Sequence, residues 1–317
     1  MREVSNAEPQ AVSPHVPSSP ARGRGVAELV LAAVLFGVMA FAAKHAARRL
    51  DGAQVALVRF AIGIVAVAVQ AGVRRVALRP VRTDLLLMRG AFGGVAVLLY
   101  FLSIAALPVG TATLLNYTAP VFTVMFAALF LAERPPAAIY ATLGVVAAGV
   151  TLVVIGQGKA LGGAYGWQAI ALFSAVLSGA AVTSIRAARR TDGSWEVLGA
   201  FCIVGLLVTA PLAIARWRMP DGEEWLLLGV VGLVSVAAQV LMTHALGAVE
   251  AATGGIMAQL TVVTAIALGH FVDGEPFPAL SAIGACLSLG GVSFAAAIGT
   301  RADRHARTRT PSVMEST

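Results

Sequence analysis

The sequence predicts an all-α integral membrane protein: ten transmembrane helices arranged as two inverted five-helix repeats. Three observations carry that prediction. Apolar residues make up 58% of the 317 and charged residues only 12%, with a mean hydropathy of +0.84, whereas soluble domains hold about 25% charge. The apolar residues come in blocks of about 20, the length a helix needs to cross a ~30 Å hydrocarbon core. Finally, the two halves of the chain resemble each other.

Helices follow from the block structure. Hydrocarbon offers the backbone no hydrogen-bond partner, so only helices or closed barrels span it, and barrel strands would alternate in polarity over roughly ten residues. No such alternation occurs here. The first five spans are expected near 26–46, 53–72, 84–106, 111–131 and 137–156, and the second five near 165–185, 195–215, 224–246, 251–271 and 278–298. Trp167, Trp195, Trp217 and Trp225 all fall at span ends, where an indole keeps its N–H wet and its ring among acyl chains.

Residues 1–24, with Pro9, Pro14, Pro17 and Pro20, and residues 300–317, polar and basic, read as disordered tails flanking repeats at 25–156 and 165–299. An even number of spans puts both tails on one side. With Arg59 and Arg89 inside spans, the other Lys and Arg divide fifteen to six in favour of the side holding the tails. The positive-inside rule then expects cytoplasmic termini in a multi-pass protein of the cell membrane. The +7 charge is accounted for by these loops and tails, so no nucleic-acid partner is expected. Cys202 and Cys286 lie far apart in apolar blocks and read as buried small hydrophobes rather than as part of a zinc or disulfide framework.

The internal repeat is specific. Ala-Val-Leu-Phe-Gly at 33–37 returns as Ala-Val-Leu-Ser-Gly at 175–179, and Ala-Ala-Arg-Arg-Leu-Asp-Gly at 46–52 as Ala-Ala-Arg-Arg-Thr-Asp-Gly at 187–193. An offset of 142 pairs Glu133 with Glu275, Pro136 with Pro278 and Gly149 with Gly291. Five spans per copy is odd, so the second copy lies inverted, a recurring construction of secondary transporters.

Several stretches together resemble the drug/metabolite transporter superfamily, in particular its ten-helix EamA-type members. They are Phe36-Gly37 and Lys44, Arg59-Phe60, the run from Ser103 to Pro120 closing on Leu131-Ala132-Glu133-Arg134, and Ala245-Leu246, Gly274-Glu275 and Gly290-Gly291-Val292. The resemblance covers about 25–299. It departs at Phe36, where the family commonly has Trp, and at Val262, where the ninth span commonly has proline. It implies a central cavity lined by spans one to four and six to nine, with spans five and ten peripheral, and transport of metabolites, often outward.

Intramembrane polar side chains are costly and point to sites. Tyr100, Asn116, Tyr117, Gln239 and Gln259 lie well inside spans three, four, eight and nine, and the repeat offset pairs Tyr117 with Gln259. Thr113, Asn116, Tyr117 and Pro120 share a helical face by spacing. These residues, with Arg59 as a contact for an anionic solute, form the expected substrate site; interhelical hydrogen bonding is the competing role. Pro120 frees a backbone carbonyl near Asn116. Arg59 and Arg89 start far enough toward span ends for their stems to snorkel. Glu133 and Glu275, at span ends before prolines, read as caps or hinge locks.

The expected function is therefore movement of a small polar or amphipathic metabolite (amino-acid-like, amine or nucleotide-derived) by alternating access, in the direction of export. Solute and lipid are the expected partners, with a homodimer left open. No carboxylate lies at mid-span, which leaves proton coupling open, and no phosphate loop of Gly-x-x-x-x-Gly-Lys-Ser/Thr type supports direct use of ATP. A polytopic enzyme would need a nucleophile–base set or metal ligands in one cavity; the five histidines are scattered, and neither such a set nor a cofactor is expected. A receptor or scaffold would not need an inverted repeat.

Overall fold

The structure, a computed structural model, describes residues 19–74, 79–130, 137–160, 165–189, 191–245 and 251–308. The first half holds α1 (Ser19–Ala46), α2 (Gly52–Arg74), α3 (Thr83–Ala106), α4 (Val109–Asn116), α5 (Ala119–Phe130) and α6 (Ala137–Ala160). The second holds α7 (Tyr165–Ala188), α8 (Ser194–Ala215), α9 (Gly222–Ala245), α10 (Ala251–Phe271) and α11 (Ala279–Thr308). The short helices α4 and α5 together stand where the fourth span was expected; the other nine match one to one. Helix α11 runs on past the expected end at 298, because Ala and Arg are strong helix formers. The tail readings at 1–18 and 309–317, and Glu133, lie outside the described residues.

Six of the described helices are long and apolar enough to cross a bilayer unaided, by length and composition. Large apolar side chains face outward along them, among them Val73, Leu87, Leu207 and Leu226. In water such a surface would aggregate; against acyl chains it costs nothing. Trp167, Trp217 and Trp225 sit partly exposed at helix ends, as the belt position requires.

Local chemistry sets the helix ends. The Asp51 carboxylate accepts the Ala53 N–H at 2.8 Å and caps α2. Asp221 and Glu224 cap α9 reciprocally: Asp221 Oδ1 accepts the Glu224 N–H and Glu224 Oε2 the Asp221 N–H, both at 2.9 Å, the capping-box arrangement. Gly274, at φ +62°, is the described glycine in the left-handed region. Its freedom there turns the chain sharply after α10 and returns Glu275 beneath α4.

The two halves pack by the same rules. Helix α3 lies along α7 as its counterpart α9 lies along α1, and α5 packs on α7 as α10 packs on α1. Helices α2 and α8 pack on each other, as do α4 and α10, and α6 and α11. Each contact thus has an equivalent under exchange of the halves, the pattern of a pseudo-two-fold axis relating inverted copies. The α6–α11 pair stands to one side, drawn close by small residues: a β-carbon at Gly149 would fall 2.7 Å from the Gly284 carbonyl oxygen. Backbone approach of this kind is how helices associate in lipid.

Candidate functional site in the middle of the bundle

The fourth crossing breaks at Tyr117–Thr118, between α4 and α5. Pro120 opens α5 one residue after its start, where a missing N–H is tolerated. Sequence reading placed Pro120 within one continuous helix; the structure instead ends the helix before it. Pro120 has no N–H for the Asn116 carbonyl, and α4 ends at that residue, with Tyr117 at φ −78° and ψ 9°. The Tyr117 and Thr118 N–H groups still find acceptors, Thr113 O at 2.9 Å and Leu115 O at 3.3 Å.

Around this break several of the expected site residues meet. The Tyr100 hydroxyl on α3 pairs with Thr113 Oγ1 at 2.8 Å, and Thr113 also donates to Val109 O. Asn116 turns to the other side, donating to Ser174 Oγ on α7 at 2.6 Å, and Ser174 passes the bond on to Ala96 O at 2.8 Å. Tyr117 faces Thr261 of α10 and lies within the field of Arg59, while Thr261 Oγ1 is buried without a formed hydrogen bond. Gln259 is buried on α10, and Gln239 is half-buried on α9. Tyr100, Thr113, Tyr117 and Arg59 are therefore one neighbourhood. Asn116 bonds away from it, and the shared face inferred from spacing is divided by the break.

Arg59 and Arg89 correct a second expectation. Neither snorkels. Both are 7% exposed and pack on aromatic faces, Arg59 Cζ lying 5.2 Å from the Phe60 centroid and Arg89 Cζ 3.8 Å from that of Phe201. Cys202, beside them, is buried as expected, whereas Cys286 is exposed on α11.

At the end of the bundle carrying the α1–α2 turn, Glu275 binds the opposite half. Its Oε2 accepts the Val109 N–H at 2.7 Å, so it caps α4 rather than α11, which it precedes. Lys44 Nζ lies 4.0 Å from Oε1 and donates to Leu107 O at 2.8 Å. Asp273 joins His45 at 3.2 Å and Arg48 at 2.9 Å. At the other end, Asp192 accepts the backbone N–H groups of Val81 at 2.7 Å and Arg82 at 3.2 Å, and His244 meets Glu28 at 2.7 Å. Ser174, Thr261, Asp273 and Asp192 escaped sequence reading, since small hydroxyls and loop carboxylates give no signal until folding supplies a distant partner.

The model of the EamA-like transporter family matches this chain twice, over residues 23–155 and 166–297. The chain belongs to the EamA-like transporter family. The two matches fall on the two helical halves, and the family's proteins are transporters rather than enzymes. Among curated relatives, the pseudopaline exporter CntI of Pseudomonas aeruginosa is 34% identical over 222 residues, covering 70% of this chain and 78% of the exporter. Human solute carrier family 35 member G1 is 25% identical over 195 residues, 57% of this chain and 53% of the carrier. A crystal structure at 22% identity superposes with a TM-score of 0.61 over 93% of this chain and 99% of its own, a likeness of fold.

Proposed function

We propose that this EamA-family transporter exports a small polar or amphipathic metabolite across the cell membrane by alternating access, both termini facing the cytoplasm. The observation carrying this reading is the mid-bundle break at Tyr117–Thr118 beside the Tyr100–Thr113 pair. Transporters commonly bind solutes at the midplane, between repeats, where a helix is discontinuous. The exporter relative supports the outward direction. In this reading Tyr100, Tyr117 and Arg59 contact solute directly, Gln239 and Gln259 complete the wall from the second half, and Asn116 and Pro120 hold the broken crossing in shape.

The test is cysteine accessibility in a background lacking Cys202 and Cys286. Single cysteines at Tyr100, Tyr117 and Gln239 should react with a small polar thiol reagent, and a transported metabolite should protect them. Cysteines at Val146 and Leu287, on the peripheral α6–α11 pair, should stay unreactive. Equal reactivity at the two sets would remove the cavity from the centre of the bundle.

A further inference from the structure

Arg59 starts about two turns into α2 from one end of the bundle, and Arg89 starts under two turns into α3 from the other. Long basic side chains at such depths ordinarily reach outward to the nearer interface. These two instead meet at one ring of α8, their Cζ atoms 5.6 and 3.8 Å from the Phe201 centroid. Each is more than nine-tenths buried. The Nε of each is buried without an acceptor, and among the described residues neither guanidinium has an ion pair or hydrogen bond. Room has been made for them: a β-carbon at Gly93 would collide with Arg89 Nη1.

The aromatic faces offset part of the cost of burying these charges, but a guanidinium has five N–H donors and no face of a ring satisfies them. Interhelical bonding does not explain the pair, since Arg59 and Arg89 bond to no carbonyl. Two like charges sharing one ring also repel. The arrangement is balanced only when an anion joins it, and guanidinium forks match carboxylate and phosphate oxygens in pairs. The Tyr100 and Tyr117 hydroxyls lie in the field of Arg59, so a solute anchored here by its anionic end extends toward the helix break.

We propose that Arg59 and Arg89, with Phe201 between them, form the subsite for a carboxylate or phosphate group of the transported solute. The assignment of that group to a solute rests on the transport reading; the anion site itself does not. Cys202, 4% exposed and within the field of both arginines, is a built-in reporter.

In the full-length Cys286→Ser protein, an anionic sulfonatoethyl methanethiosulfonate should modify Cys202 at least about tenfold faster than its cationic aminoethyl counterpart, the scale of electrostatic steering. Both rates are normalised to a free thiol. Sodium glutamate or inorganic phosphate should slow the reaction and raise Tm, and sodium chloride at equal ionic strength should do neither. Arg89→Lys should keep the charge preference and Arg89→Gln should lose most of it; should the Gln variant not fold, the wild-type preference and the Tm shift decide. Protection by phosphatidylglycerol in nanodiscs, with none by glutamate or phosphate, would assign the pair to a lipid headgroup and overturn the proposal. So would a Cys202 rate and a Tm that both ignore anions. Anion protection without solute counterflow in proteoliposomes would keep the anion site and remove the transport reading instead.

Discussion

Tyr100 is a buried phenol and Tyr117 a half-buried one, both within the field of Arg59, but their hydroxyls do different work. That of Tyr100 ties α3 to α4 through Thr113, so Tyr100→Phe should lower stability in detergent by about 1 kcal/mol, the scale of one intramembrane hydrogen bond. Tyr117 makes no comparable tie, so Tyr117→Phe should leave stability within about 1 kcal/mol and change which solutes are carried. Thermal denaturation paired with a competition uptake assay separates the two; the reverse pattern would exchange their roles. Asp192 offers a residue-level test in pH. The Val81 N–H, then the Thr191 hydroxyl and the Arg82 N–H, hold its carboxyl below the usual carboxylate range. A lowered folded pKa gives stability that is present above the unfolded value and lost as pH falls through the folded one. Asp192→Asn should therefore lower Tm at neutral pH and flatten its acid decline, as read by melts between about pH 3 and pH 7. An unchanged acid limb would mean other carboxylates govern it.

Among the elements, α6 and α11 pack mainly on each other, at a surface where Gly149 meets the Gly284 carbonyl and Ser288. Gly149→Val should cost about 1–3 kcal/mol by overpacking while leaving the solute preference of the surviving protein unaltered, since neither helix supplies a site residue. A changed preference would mean that the pair belongs to the moving core. How much of this was legible beforehand differs by element. The long helices were, because hydrocarbon permits an uninterrupted apolar run only one solution. The α4–α5 break was half legible: Pro120 announced a disturbance, but its position at Tyr117 depends on packing against α7 and α10. The depth of Arg89 was misread, because span position gives the distance to the interface and not which way the stem bends; Gly93, the residue that makes room inward, reads in sequence as ordinary helix-packing glycine. Glu275 was legible as a cap or hinge lock, yet the backbone it caps, at Val109, is 166 residues away, beyond any local pattern.

At the scale of the whole molecule, both ends of the bundle carry ties between the halves, and the proposed alternating access requires that they release in turn. The end closed by Glu275 is the more informative. Burial raises the Glu275 carboxyl above the usual carboxylate range, with the Val109 N–H and Lys44 pulling the other way and Asp273 adding to the rise. A closed end with a raised pKa takes up a proton more readily than an opened one in which the carboxyl meets water. Acid therefore favours closure, and that contribution is lost as pH rises through the raised pKa. Glu275→Gln keeps an oxygen for the Val109 N–H and removes the charge, so it should hold this end shut at every pH; Glu275→Ala removes the cap and should leave it open. Thr111 is the reporter, 1% exposed beside Glu275 with a hydroxyl that has no partner, so Thr111→Cys removes no hydrogen bond. In a background lacking the native cysteines, an impermeant thiol reagent should label it slowly in acid and faster as pH rises. Rates are divided by those of Trp217→Cys, exposed at the same end, to remove the thiol's own titration. The Gln variant should be slow and flat, the Ala variant fast and flat. Labelling of the Gln variant as fast as that of the Ala variant would transfer the lock from the α4 cap to the Lys44 ion pair, and alternating access at this end would then run on charge rather than on backbone capping.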